Sequence, residues 1–406
     1  MPSTIKETIQ EILEDIVAFR RELHEYPELS GEEYETSKRI QRKLDQYHIP
    51  YETGFAGTGV LGIIKGGKPG GTVALRADID ALPIMEKTNL EFTSKHSGKM
   101  HACGHDVHTA MLLGAGAVLN HRKEDLEGTI LLVFQPAEEN APTGGAKQMM
   151  EDGVFHKYKP DAILAQHVWP DLPVGQFGVM PGPMMGNSDR FKIVVKGASG
   201  HASMPHQTVD AVVVANQVIS ALQTIVSRNV DPMDSAVLTI GRIEGGYRYN
   251  VVADEVTLEG TVRTFRDDTK EIVKERLHTI VKGVVDGMGA DAEIQYYNGY
   301  PATVNTPEWA DLVKATAQRL YGESSVPHLR PSMGGEDFAR FLQKYPGAYY
   351  WLGTSIGEGQ KPLHDPYFIV NEDAIPLGIE LMAQTATEGL KQIQKRAEVS
   401  EAWLNV

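Results

Sequence analysis

One cysteine in 406 residues rules out an internal disulfide, and a chain of this length buries enough apolar surface to need no covalent staple. Basic residues are scarce as well. The 39 lysines and arginines face 54 aspartates and glutamates, and the net charge of −15 would repel a nucleic-acid backbone and an anionic lipid surface alike. Nucleic acid and membrane are therefore poor partners. No uninterrupted apolar run reaches the roughly 18 residues that a bilayer span requires. The N-terminal MPSTIKETIQEILEDIVAF carries polar or acidic residues at every turn, where a secretory signal would be apolar. The expected setting is the cytoplasm. Intrinsic disorder is excluded too, because 41% apolar residues supply an ordinary globular core.

What is present reads as two kinds of domain. Ile5, Ile9, Ile12, Leu13, Ile16 and Phe19 recur at helical spacing behind Thr4 and Glu7, which have the form of a capping box. The runs VLGII (60–64), TVALRA (72–77), TILLVF (129–134) and AILAQH (162–167) are short, aliphatic and separated by helical stretches. That texture is an α/β domain around a mainly parallel mixed sheet. Between 188 and 297 it gives way to strand, long helix, two strands, helix and strand, the split arrangement of a ferredoxin-like α+β unit. The α/β texture then resumes. The pattern predicts a small domain, 188–297, inserted into a discontinuous larger one, 1–187 and 298–406.

The densest chemistry lies in HACGHDVH (101–108), with three histidines, an aspartate and the sole cysteine in eight residues. Cys103 and His105 reach a common point if the segment is a loop entering a helix, and thiolate and imidazole both suit zinc-class ions. A lone cysteine is more often an inert packed side chain, so this segment by itself leaves both readings open. FQPAEEN (134–140) places Glu138 and Glu139 beyond the carboxyl end of a strand, where open α/β sheets form their ligand crevice. Side chains alternate in extended backbone, so one carboxylate can face a metal and the other the substrate. A solvated loop would carry the same residues. His167 closes AILAQH in a similar strand-end position, and His364 lies in the polar loop KPLHDPYF. Cys103, His105, Glu139, His167 and His364 are one ligand more than a tetrahedral zinc takes and suit two ions sharing a bridge, with Glu138 left as a base.

Longer motifs carry a resemblance. RRELHEYPELSGEEYET (20–36), LRADIDALP (75–83), HACGHDVH, FQPAEEN, GASGHASMPH (197–206), GGYRYNVVADEVTLEGTVRTF (245–265) and LHDPYF follow one another along essentially the whole chain. In that order they resemble the metal-dependent amidohydrolases typified by hippurate hydrolase, bacterial aminoacylases and plant indole-acetyl-amino-acid hydrolases. The resemblance implies a zinc-peptidase-like catalytic domain with an inserted lid that mediates assembly into a homodimer or homotetramer. The implied reaction is hydrolysis of the amide bond of a small N-acyl amino acid. Cys103, His105, Glu139, His167 and His364 are the implied ligands of two divalent metal ions, Glu138 the general base, and Asp78 a carboxylate that orients a metal histidine. Cys103 stands where related peptidases have a bridging aspartate, which leaves zinc, manganese, cobalt and nickel all open. In the lid, His201 would donate a hydrogen bond to the oxyanion, in its own subunit's site or across a dimer. Asn250 and Arg263 would hold the substrate carboxylate.

Two rival chemistries accompany this reading. A metallo-dipeptidase or carboxypeptidase of the same superfamily is the nearer. From a different class, Cys103 would act as a nucleophile with His105 or His108 as its base; chelation would then spare activity and thiol alkylation abolish it. GTSIG (353–357) fits a serine-hydrolase pattern, yet it leads into IGEGQKP and not into a helix, so the nucleophile-elbow context fails.

Overall fold

The computed structural model describes residues 4–404; the outermost positions of the larger predicted domain, 1–3 and 405–406, lie outside the described residues. The chain forms two compact units. The larger takes the chain up to Met184, then Val304–Arg330, then everything from Asp337 onward; the smaller takes Met185–Thr303 and Pro331–Glu336. The second visit to the smaller unit has no counterpart in the predicted boundaries. It arises because Met185 bridges to Ser332 and the Gly186 amide donates to the Ser332 carbonyl at 2.9 Å.

The larger unit is built on a seven-stranded sheet of β1 (Tyr51–Phe55), β2 (Gly59–Lys65), β3 (Lys68–Asp78), β4 (Glu127–Gln135), β5 (Ala162–Pro173), β6 (Phe177–Gly178) and the strand Gly347–Ser355. Its spatial order is β1, β2, β4, β3, β5, 347–355, β6. The four central strands run parallel, and antiparallel neighbours finish both edges. Strands buried on both faces need covering helices. Helix α3 (His105–His121) and the C-terminal helix Ala374–Leu404 pack on β3, α1 (Ile5–Glu25) packs on both helices, and α2 (Tyr34–Gln46) packs on β2. Helix α1 begins with the predicted capping box: the Glu7 amide donates to Thr4 Oγ1 at 3.3 Å, and the Thr4 amide to Glu7 Oε2 at 2.7 Å. Helix α3 is apolar and buried on every side, as a helix in the centre of a large unit must be.

One strand differs from expectation in a way that shapes the site. His167 does not close β5, which continues to Pro173 because its partner 347–355 continues beside it, with His167 opposite Trp351. On the other flank β3 pairs with β5 only as far as Arg76 opposite Ala165. His167 therefore lies just beyond the point where one neighbour stops, at the carboxyl end of β3, where a parallel sheet opens into a crevice.

The smaller unit has a four-stranded antiparallel sheet in the order Ala236–Gly245, Glu255–Thr264, Asp189–Lys196, Asp291–Tyr297. Helices Ala211–Arg228 and Asp267–Gly287 complete the strand–helix–strand–strand–helix–strand pattern that the sequence predicts. The first of these helices has a mean hydropathy of 1.2 over 18 residues, long and apolar enough by composition to cross a membrane. Its apolar stripe of Val214, Val218, Leu222 and Ile225 instead lies buried in this unit's own core.

Candidate metal centre

The six candidate ligand and base residues belong to the larger unit: Cys103, Glu138, Glu139 and His364 lie in turns, His105 opens α3 and His167 lies within β5. Gly104 precedes α3 with φ +82°, and a Cβ at that position would meet Val168 Cγ2 at 2.5 Å. Only glycine lets the Cys103–His105 corner lie so close to the strand that carries His167. After β4 the chain turns through Ala137 at φ +56°, and two buried carboxylates hold this turn. Glu33 Oε1 accepts the Ala137 amide at 2.9 Å, and Asp80 Oδ2 accepts the Glu139 amide at 2.9 Å. His364 is also left-handed, at φ +67°, with its amide bonded to the Ala102 carbonyl at 2.8 Å. Left-handed non-glycine residues of this kind gather where a site over-determines the backbone.

These constraints bring the six side chains of this unit together. The ligand atoms of Cys103, Glu139 and His364 all lie within 4.8 Å of one another, and so do those of His105, Glu138 and Glu139. Cys103 Sγ is 3.5 Å from His167 Nε2, and His364 Nε2 is 3.1 Å from Glu139 Oε1. Glu139 thus joins the two groups. All but the half-exposed His364 are buried or nearly so.

Hydrogen bonds assign the ring nitrogens. His105 Nδ1 is 2.8 Å from the Asp80 carbonyl, an acceptor only, so Nδ1 carries a proton and Nε2 is the nitrogen left for a ligand bond; that Nε2 is buried with no hydrogen-bond partner. His167 Nδ1 donates to the Val168 carbonyl at 2.7 Å, which leaves its Nε2 lone pair toward Cys103. His108 is different, because Nδ1 donates to Asp78 Oδ1 at 2.6 Å and Nε2 accepts the Val168 amide at 2.8 Å. It has no nitrogen left for a metal. Buried imidazole nitrogens with no donor role left, beside a thiol and two carboxylates, fit a divalent cation, since positive charge bound there satisfies all of them.

The electrostatics agree. Burial works against charge on His105, yet Asp78 and Asp80 more than offset it and push its pKa up to about 10, so positive charge is favoured at this ring and a bound cation would take the place of its second proton. Burial, reinforced by Glu139 and Glu138, drives the Cys103 thiol well up, and burial with His108 drives His167 well down, keeping it neutral. A thiol so placed becomes a thiolate through a cation and not through a histidine base. The cysteine-nucleophile rival requires the opposite shift, and neither His105 nor His108 offers Cys103 a hydrogen bond among the described contacts.

The three residues expected to act from a lid, His201, Asn250 and Arg263, belong to the smaller unit. The Ser203 amide donates to His201 Nδ1 at 3.1 Å, with the Ser203 hydroxyl 2.7 Å from the same nitrogen. The proton is thereby placed on Nε2, and the exposed ring can donate. Asn250 lies beside it, its carbonyl accepting the Ala202 amide at 3.2 Å. Arg263 is half-buried with one long bond, 3.5 Å, to the Asn187 carbonyl, and burial lowers its pKa.

Residues 74–388 match the description of peptidase family M20/M25/M40. The chain belongs to this family. It is 42% identical over 380 residues to N-acetylcysteine deacetylase of Bacillus subtilis, covering 93% of this chain and 98% of that protein. It is 41% identical over 381 residues to thermostable carboxypeptidase 1 of Saccharolobus solfataricus, covering 92% and 95%. A solved structure of a dinuclear metal-binding peptidase from the M20 family of Bacillus subtilis, 39% identical, matches with a TM-score of 0.83 over 94% of this chain and 99% of that one.

Within this M20 chain, one expected contact falls elsewhere. Asp78, expected to orient a metal histidine, grips His108 and Arg76, and its Oδ2 is 3.7 Å from His105 Nε2. The carboxylate on His105 Nδ1 is that of Asp80, at 3.3 Å. In LRADIDALP the two aspartates are two residues apart, and β3 ends between them; spacing alone does not show which one lies behind the ring. Asp80, Glu33, Arg76 and Asp337 are parts of the site that the sequence reading missed. For Asp80, Arg76 and Asp337 the available signal was a charged residue inside a largely apolar or glycine-rich run, whereas Glu33 lies in the acidic stretch GEEYE, which gives none.

Proposed function

We propose that this M20-family chain hydrolyses the amide bond of N-acyl amino acids, using two divalent cations held by Cys103, His105, Glu139, His167 and His364. The observation that carries the reading is Glu138, a buried carboxylate beside the ligand cluster, its Oε1 accepting the Asp337 amide at 3.3 Å. A site that only stored metal would not need a second carboxylate there. Bound cations supply Lewis acidity, which eases deprotonation of water and polarises the scissile carbonyl. Glu138 takes the proton of the attacking water as the C–O bond forms, then passes it to the amine nitrogen as the C–N bond breaks. His201 Nε2–H donates to the developing oxyanion, and Asn250 and Arg263 hold the substrate carboxylate.

The long strand Ala236–Gly245 supports a homodimer or a higher homo-oligomer formed through the lid. It pairs on one side only and exposes Val237 and Ile243, and the helix Ala211–Arg228 exposes Val212 and Val213. An open apolar edge of this kind invites a second copy. The lone cysteine and the acidic surface fit a cytoplasmic setting.

A carboxypeptidase reading has specific support from the relative of that name. A panel of N-acetyl, N-benzoyl and indole-acetyl amino acids, assayed beside dipeptides after reconstitution with zinc, manganese, cobalt or nickel, separates the two. Turnover of acyl amino acids that is abolished by chelation and restored by metal is expected. Turnover indifferent to chelation would refute the proposal.

A further inference from the structure

Behind Glu138 lies a buried charged assembly that the reaction above does not use. Arg76, near the end of β3, is almost wholly buried, and its guanidinium is divided among three partners. Nε donates to Gln135 Oε1 at 2.8 Å, Nη1 to Asp78 Oδ2 at 2.7 Å and Nη2 to Asp337 Oδ1 at 2.9 Å. The Asp337 carboxylate accepts further bonds at 2.9 Å from Gln135 Nε2 and the Ala146 amide. Its backbone amide is the donor to Glu138 Oε1. From the other arm of Arg76 the chain of contacts runs through Asp78 to His108, and from His108 Nε2 to the Val168 amide, the residue after His167.

We infer that Arg76 and Asp337 are positioning residues that fix the aim of Glu138, an inference that rests on Glu138 being the general base. The carboxylate of Asp337 is held by three donor groups through four bonds, so its amide has one direction, and that direction is the base. Arg76 suits this task because a planar fork can bind Gln135, Asp78 and Asp337 at once, whereas a lysine ammonium is a point charge on a flexible stem. Misplacing a catalytic group by about 1 Å costs on the order of 10²-fold in rate.

The test is a double-mutant cycle on the metal-loaded enzyme with Arg76→Lys, Glu138→Gln and both together. Arg76→Lys is expected to lower kcat by about 10²-fold, with KM within about threefold and an unchanged metal-to-protein ratio. In the Glu138→Gln background the same change is expected to cost less than about threefold more, because residues that act through one group are not additive. Equal losses in both backgrounds, wild-type kcat in Arg76→Lys, or a falling metal ratio would each overturn the inference. Should Arg76→Lys fail to fold, Gln135→Met enters the same cycle. It removes bonds to both Arg76 and Asp337 while keeping the side chain's length, and the same outcomes decide. Near-wild-type activity of Glu138→Gln alone would instead overturn the base assignment.

Discussion

Glu138 and Glu139 are sequence neighbours whose surroundings give them different work. The Glu139 carboxylate touches His364 and lies among Cys103 and His105, while Glu138 is held from the side by a backbone amide. Glu138→Gln keeps the shape and removes the proton acceptor, so turnover is expected to fall by about 10²–10⁴-fold while metal analysis finds an unchanged ratio. Loss of metal in that variant would make Glu138 a ligand and not a base. His364 gives the converse case. Its half-exposed ring reaches Glu139 from a loop held by one backbone bond, so His364→Asn is expected to reduce metal occupancy at limiting metal without unfolding the chain. Metal-binding titration with circular dichroism as the control checks this.

At the scale of elements, helix α1 is tied to α3 by a buried ionic knot. His24 Nδ1 faces Asp106 Oδ2 at 2.8 Å and His24 Nε2 faces Glu86 Oε1 at 3.1 Å, while Arg20 Nε lies 2.8 Å from the same Asp106 oxygen. A ring with a carboxylate at each nitrogen must be doubly protonated to satisfy both. Burial opposes that charge, but Asp106 and Glu86 together more than offset it and raise the pKa. Charged His24 therefore contributes stability that is complete below about pH 6.5, and this contribution is lost as pH rises through the higher folded-state value. Urea unfolding of His24→Gln should show a deficit of about 1–3 kcal/mol at pH 6 that narrows in alkaline buffer. A deficit independent of pH would mean the ring is neutral. The contrast with the rest of α1 shows what sequence makes legible. The capping box and the apolar stripe Ile9, Ile16, Phe19 and Leu23 are local and periodic, so they can be read directly. The knot joins residues about 80 positions apart, and nothing in RRELHEYPEL marks His24 as a cation. The metal-centre candidates were legible for the reason the knot was not: Cys103, His105, Glu138 and Glu139 stood in short motifs dense with ligand chemistry, and His167 and His364 marked a strand and a polar loop. The partners Asp80, Arg76 and Asp337 depend on which way side chains point where β3 and β4 end, a property of the assembled sheet. The smaller unit was legible as an order of elements, but 331–336 joined it through backbone bonds that carry no sequence signature.

Over the whole molecule, the division into two units confines the proposed metal dependence of stability to one of them. The five proposed ligands all belong to the larger unit, so metal binding should stabilise that unit by mass action, about 2.7 kcal/mol at a metal concentration a hundredfold above Kd. The smaller unit has its own apolar core around Val195, Val218, Leu258 and Val281 and offers no proposed ligand. Hydrogen exchange with and without chelator should therefore change in only one of them. Amides that close the site in the larger unit, those of His364, Glu139 and Val168, hang on hydrogen bonds made at or beside the ligands. They are expected to exchange faster when metal is removed, because the uncompensated carboxylates and thiol then favour local opening. Amides in Asp189–Lys196 and Glu255–Thr264, central in the smaller unit's sheet, are expected to keep their rates. Equal acceleration in both units would mean that metal supports the molecule as one cooperative block, and the ligand set confined to the larger unit would then be too narrow an account of its stability.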